Sequence, residues 1–257
     1  MEQYRILFLG DIVGKPGRDA VLQELPLLKQ ELQPTFLIVN GENSAAGVGI
    51  TPKIADELFK AGVDCITLGN HAFNKREIIP YLEQNSKIIR PINYPDSTPG
   101  KGLCYLQHKG IELAVINIGG RVFMDGFDDP FAEFDRLDKQ IQTPHRFFDF
   151  HAEATSEKVA FGFHADGRAT AVVGTHTHIQ TADEKILPGG TAYITDVGMC
   201  GPFPSVIGMD HRIILQKFRT SMPTRFEVAD QPGVICGVVV DVKVSDGQAV
   251  RIERIQR

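Results

Sequence analysis

Five short apolar runs in this chain stop at residues that can hold a metal. Residues 5–9 (RILFL) lead into Gly10-Asp11, residues 36–40 (FLIVN) into Gly41-Glu42-Asn43, and residues 65–68 (CITL) into Gly69-Asn70-His71. Residues 147–150 (FFDF) lead into His151, and residues 171–173 (AVV) into Gly174-Thr175-His176-Thr177-His178. The pooled side chains are two carboxylates, two carboxamides and four imidazoles. Hard oxygen and borderline nitrogen donors without sulfur suit manganese, iron, zinc or magnesium. They outnumber what one ion accepts, so the economical arrangement is a pair of divalent ions roughly 3.5–4 Å apart, with Glu42 as the bridging carboxylate. Such a pair generates a metal-bound hydroxide and clamps the entering and departing oxygens of a phosphate ester, which points to phosphoester hydrolysis. Cys200, in GMCGP, has no paired base, so no side-chain nucleophile competes with that water.

These residues can meet only if the runs are neighbouring strands. Residues 5–9, 36–40, 65–68 and 113–118 are short, apolar and bounded by glycine or polar residues, as are 147–150, 171–173 and 192–195. Between them, Val21, Leu25, Leu28 and Leu32 recur at helical spacing over 17–32, and Ile54, Leu58 and Ala61 over 51–61, where Thr51 can cap and Pro52 can open the helix. A further short helix is expected at 156–163. Alternating strands and helices predict an α/β fold, with a central, largely parallel sheet covered by helices on both faces. Parallel strands share a carboxyl edge where ligands bind, so the five clusters are expected to converge there. A closing β-hairpin is expected over 233–244 and 249–255, around Ser245-Asp246-Gly247. Residues 121–146 read as an excursion above the sheet, and 199–232 as a lid-like segment of a single domain spanning 1–257.

Composition narrows the function classes. The chain has 257 residues, 42% apolar and 23% charged, which is ordinary for a globular protein with a large core. Its formal charge of −5, without long runs of one sign, argues against coating duplex nucleic acid, although short RNA is not excluded. No apolar stretch reaches the roughly 18–20 residues of a membrane span, and no leader-like segment precedes the first strand, so a cytoplasmic protein without membrane contact is expected. Four scattered cysteines suggest reduced thiols and not a zinc knuckle or disulfide framework.

The segments GDIVGKPGR, NGENSAAGVGIT, LGNHAFNK, DFHAEATSEK, VVGTHTHIQTAD and ITDVGMCGP, over about residues 9–202, resemble the calcineurin-like metallophosphoesterase superfamily. Within it they are similar to the bacterial YmdB-type cyclic-nucleotide phosphodiesterases. The superfamily's first motif is D-x-H, and here Val13 stands in place of its histidine; Glu42 replaces its bridging aspartate. The resemblance implies that Asp11 and His178 hold one metal, that Glu42 bridges, and that Asn70, His151 and His176 hold the second, with Asn43 filling the place left by Val13. It makes His71 the residue that faces the phosphate, as general acid or hydrogen-bond donor. It also implies 2′,3′- or 3′,5′-cyclic nucleotides as substrates, iron or manganese as metals, a cytoplasmic setting and a homo-oligomer. Lys15 and Arg18, where the first helix opens, are expected to face an anionic substrate with help from the helix amides.

Alternatives from other classes stay open at this point. Gly10, Gly14 and Gly17 before a helix imitate a dinucleotide-binding module, although their spacing is not G-x-G-x-x-G. A metal-dependent regulator that binds a ligand without turning it over is the other. Phe123, Phe127 and Phe131 read as an apolar helical stripe, and His108, His145 and His164 as a hairpin residue and two surface residues.

Overall fold

The computed structural model describes residues 2–257. In chain order the first elements are β1 (Gln3–Leu9), β2 (Asp11–Ile12), α1 (Gly14–Leu32), β3 (Phe36–Asn40), α2 (Pro52–Lys60), β4 (Cys65–Thr67), α3 (Ile78–Gln84) and β5 (Ile88–Ile89). Next come β6 (Leu103–His108), β7 (Ile111–Gly119), α4 (Pro130–Gln140), β8 (Arg146–His151), α5 (Thr155–Ala165), β9 (Ala171–Thr175), β10 (Lys185–Ile186) and β11 (Ala192–Ile194). The chain finishes with β12 (Met199–Pro202), α6 (His211–Thr220), β13 (Gly233–Val234), β14 (Cys236–Lys243) and β15 (Ala249–Gln256).

Two six-stranded sheets form the centre, in the orders β15-β14-β1-β3-β4-β5 and β10-β11-β9-β8-β7-β6. The alternation along β1 shows how they are covered. Ile6 and Phe8 point into a cluster with Val115, Phe147 and Val173 of the other sheet. Leu7 and Leu9 point the opposite way, into a cluster with Val21, Leu25 and Leu28 of α1 and Ile54 and Leu58 of α2. On the far side, Ile116, Phe148 and Phe150 pack under Phe134 and Leu137 of α4 and Phe161 of α5. The layers are therefore helix, sheet, sheet, helix. The α/β class, the helical cover on both outer faces and the closing hairpin β14-β15 are as expected, and the expected central sheet is doubled. A strand buried on both faces is continuously apolar whether a helix or a second sheet covers it, so the pattern alone does not separate the two.

Local signals explain several element ends. Thr51 Oγ accepts the Ile54 amide at 3.3 Å, with Pro52 in the first turn of α2. Asp129 does the same for α4, accepting from the amides of Phe131 and Ala132. The 121–146 stretch is in large part structural: α4 covers the second sheet and supplies two residues to its core. Phe123, Phe127 and Phe131 do not share a helix, because the chain turns at Gly126 before Asp129 caps α4. Phe123 is exposed, Phe127 packs on Tyr94 at 4.6 Å and Phe131 on Phe161 at 5.8 Å. His145 is buried against the hydroxyl of Tyr4, 3.1 Å away, and not at the surface. Among the described residues no helix is long and apolar enough to cross a membrane.

Parallel pairing of β1, β3 and β4, and of β7, β8 and β9, brings the carboxyl ends of both sheets to one edge. Gly10 then carries the chain from β1 into β2. A Cβ there would sit 1.9 Å from the Gly198 carbonyl oxygen, so only glycine allows β2 to lie against β12.

Phe8 joins the two sheets through the ring of Phe147, 5.3 Å away. Phe8→Ala is expected to lower stability by about 3–5 kcal/mol. Urea unfolding followed by circular dichroism should show a lower midpoint with an unchanged slope; an unchanged midpoint would mean that the inter-sheet core does not carry the fold.

Candidate metal centre

Asp11 opens β2, Glu42 and Asn43 follow β3, Asn70 and His71 follow β4, His151 ends β8, and His176 and His178 follow β9. All eight meet where the two sheets' carboxyl edges face each other. Asp11, Glu42 and His151 are fully buried. Room for them depends on Gly69, where a Cβ would lie 2.3 Å from both Glu42 Oε2 and His151 Nε2.

Around His151 Nε2 lie Asn70 Oδ1 at 2.9 Å, Glu42 Oε1 at 3.0 Å and His176 Nδ1 at 3.1 Å. Hydrogen bonds on the far side of each ring set its lone pairs. His151 Nδ1 lies 2.9 Å from Thr175 Oγ, whose own proton goes to Asp149 at 2.6 Å, so Nδ1–H donates and Nε2 faces the cluster bare in the neutral ring. His176 Nε2 pairs with Glu153 Oε2 at 3.0 Å, which leaves Nδ1 bare. Two ring nitrogens, a carbonyl oxygen and a carboxylate oxygen thus point at one another. Ligands about 2.1 Å from a six-coordinate ion lie about 3.0 Å apart, which is the spacing found.

Without an ion, a proton takes the load. Burial opposes charge on His151, but Glu42 beside it prevails and raises the imidazole to about 9. His176 is driven down to about 3 by burial and by the neighbouring His151 charge. Burial pushes Glu42 up, and the pull of His151 more than offsets it, leaving the carboxyl at about 2.

A second set of donors lies on the other side of Glu42. Asp11 Oδ1 is buried with no hydrogen-bond partner among the described residues, while Oδ2 accepts the His176 amide at 3.2 Å. Its carboxyl is raised, chiefly by burial. His178 Nδ1 donates to the Ile207 carbonyl at 2.9 Å, turning a bare Nε2 toward Asp11 Oδ1, 3.8 Å away, and Asn43 Nδ2, 3.2 Å away. Glu42 is held between the sets: Oε1 accepts from Asn43 Nδ2 at 3.2 Å and Oε2 from the His71 amide at 3.1 Å. The His71 ring stands beside Asn70 and lines the cavity above the cluster.

The loop that carries two of the histidines is strained and braced. His176 and His178 have φ of 95° and 67°, a region costing about 1–3 kcal/mol for such residues. Asp196 Oδ2 accepts the Thr177 amide at 3.2 Å and its hydroxyl at 2.7 Å. The buried Lys158 ammonium donates to that same oxygen and to the Thr175 carbonyl, both at 2.7 Å. Asn40 reaches under the site to Asp149 at 3.0 Å. Sequence reasoning passed over Asp149, Glu153, Lys158 and Asp196 as site residues. Asp149 and Asp196 did carry a signal, being charges embedded in the apolar runs FFDF and YITDV.

Lys15 and Arg18 do not join the cluster, contrary to expectation. Lys15 pairs with Asp19 and faces a separate cleft of about 870 Å³, and the Arg18 guanidinium is bound to the Ser44 carbonyl. The opening of α1 is not a free anion cradle either, because the Gly14 amide donates to the Asn43 carbonyl at 2.9 Å. That also removes the basis of a dinucleotide site there.

A family model described as YmdB-like protein matches residues 7–255. The 2′,3′-cyclic-nucleotide 2′-phosphodiesterase of Bacillus subtilis is 53% identical over 253 residues, covering 98% of this chain and 96% of that one. A protein of Thermus thermophilus superposes with a TM-score of 0.93 at 40% identity, covering 98% of both chains. A Mycoplasma pneumoniae protein described as a novel phosphatase superposes with a TM-score of 0.96 at 35% identity, covering 100% of this chain and 94% of that one.

Two outcomes are expected from the geometry. A cation that uses His151 Nε2 must displace its proton, so manganese affinity should rise about tenfold per pH unit up to about 9 and then level off, while His176, already neutral, adds no further slope. Calorimetric titration between pH 6.5 and 9.5 measures this, and a flat profile would make His151 neutral in the free protein. Lys158→Met should weaken manganese binding roughly 10- to 100-fold by releasing the histidine loop. Phe8→Ala, which lowers stability from within the inter-sheet core and touches no loop of the cluster, is the control: equal loss of affinity in both variants would reduce Lys158 to a packing residue.

Proposed function

Because this chain belongs to the YmdB-like family, we propose that it is a dinuclear-metal phosphodiesterase that opens 2′,3′-cyclic nucleotides. The observation that carries this reading is the convergence of metal-ligating donors around Glu42: the facing nitrogens of His151 and His176, and the unpartnered Asp11 oxygen with His178 beside it. Asn70, His151 and His176 would hold one ion, Asp11, Asn43 and His178 the other, and Glu42 both, with the Asn43 amide rotated to present Oδ1. Iron or manganese suits this mixed set best, and magnesium or zinc is the alternative. Bound ions would activate water and neutralise the charge of the phosphate. The likeness to the Bacillus subtilis enzyme supports the 2′,3′-cyclic ester over the 3′,5′-cyclic one.

The chain's own residues do the rest. The backbone of His71 is tied to Glu42, which anchors its Cα beside the metal subsites while its side chain lines the cavity. From there it donates a proton or a strong hydrogen bond to the ribose oxygen as the phosphorus–oxygen bond breaks. Glu153 keeps Nε2 of His176 protonated, and Thr175 does the same for Nδ1 of His151, so neither ring can turn away from the cluster. Among the described residues no lysine or arginine lines the polar end of the cavity, which leaves charge neutralisation of the phosphate to the ions.

Protein reconstituted with manganese should bind about two ions per chain by elemental analysis and hydrolyse 2′,3′-cyclic nucleotides; saturation at one ion, or no turnover of any cyclic nucleotide, would overturn the reading. Glu42→Gln should lose most of both, since a neutral amide bridges two cations poorly. His71→Ala should depress cyclic-nucleotide hydrolysis on the order of 10²- to 10⁴-fold in kcat/KM, and bis(p-nitrophenyl) phosphate hydrolysis far less, because nitrophenolate leaves without a proton. Equal losses at matched metal content would make His71 a positioning residue.

A further inference from the structure

The cavity above the metal subsites encloses about 590 Å³ and has two unlike ends. One is the polar cluster of Glu42, Asn43, His71, His176 and His178, with Thr177 and the Glu153 carboxylate that pairs with His176. The other is a wall of Val206, Ile207, Met209, Ile214, Phe218 and Phe226, supplied by the turn before α6, by α6 itself and by the segment after it. Ile214 is buried and anchors α6, whereas Phe218 and Phe226 are 75% and 44% exposed. Lys217 is the charged side chain at this end, and its ammonium lies over the Phe226 ring, 5.4 Å from the centroid.

An occupant of the whole cavity must be anionic at one end and apolar and flat at the other. Resting on the phosphodiesterase reading, we propose that the wall around Phe218 and Phe226 receives the nucleobase by its faces and leaves its edges unread. Discrimination among bases requires donors and acceptors aimed at their edges, because loss of such a partner is what penalises the wrong base. Here aliphatic side chains and two phenyl rings present none, and Lys217, at the Phe226 ring, offers donors alone, which every base can meet with an acceptor on its edge. Every base has a π-face, so stacking and apolar contact favour all four. The wall therefore makes the enzyme selective for nucleotides over other cyclic phosphates and nearly indifferent to which nucleotide it meets.

The test compares kcat/KM for the four 2′,3′-cyclic nucleoside phosphates with that for methyl riboside 2,3-cyclic phosphate, which lacks a base, using manganese-loaded protein. The four nucleotides should fall within about tenfold of one another, and the base-free ester should be poorer on the order of 10- to 100-fold. In Phe226→Ala and Phe218→Ala the ratio of nucleotide to base-free ester should fall toward one. A base-free ester hydrolysed as well as the nucleotides, or one base preferred by far more than tenfold, would overturn the proposal. A second arm keeps it apart from the phosphodiesterase reading: calorimetric binding of nucleoside 3′-monophosphates against methyl riboside 3-phosphate. Tighter nucleotide binding without turnover of either ester would sustain the wall and remove the reaction, and equal binding would remove the wall.

Discussion

The rest of this structure is arranged around one crowded contact, the approach of His151 Nε2 to Glu42 Oε1, Asn70 Oδ1 and His176 Nδ1 within about 3 Å. Electron-rich atoms left to themselves separate or bind protons, and the upward shift of His151 to about 9 is the record of that pressure. Holding them together requires that the backbone leave no freedom. Five strand ends deliver the side chains, Gly69 lacks the Cβ that would crowd both Glu42 and His151, and Asp149 and Thr175 fix the ring from behind. Lys158 and Asp196 hold the loop of His176 and His178 in a conformation that neither histidine favours. A divalent ion would satisfy these donors in place of the proton on His151, which gives the arrangement its physical sense.

The legible part of this site was the part made of strand ends. A short apolar run followed by a donor residue, in four of the five cases after a glycine, is a local pattern, and Asp11, Glu42, Asn43, Asn70, His71, His151, His176 and His178 each sat in one. Their supports were less visible because they act across the fold: Lys158 sits on a helix and reaches a loop 38 residues from it in the chain. Lys15 and Arg18 misled for the opposite reason. They are near Asp11 in sequence, but α1 turns their side chains toward Asp19 and Ser44, away from the cavity. At the level of the fold, α/β layering followed from strand and helix periods, whereas the second sheet did not. Ile6 and Phe8 look the same from the chain whether they meet a helix or another strand.

The hairpin that closes the first sheet has a consequence for how the site comes into being. β14 pairs along the whole of β1, from Gln3 against Lys243 to Leu9 against Gly237, and the Gly10 amide donates to the carbonyl of Cys236. Asp11 is thus aimed by residues that leave the ribosome more than two hundred positions after it. Contacts of such sequence separation close large loops and form late, after the local βα units have condensed. The position of Asp11 is therefore as firm as the pairing of β14 with β1, and a change that loosens the hairpin reaches the cluster across more than two hundred positions of sequence.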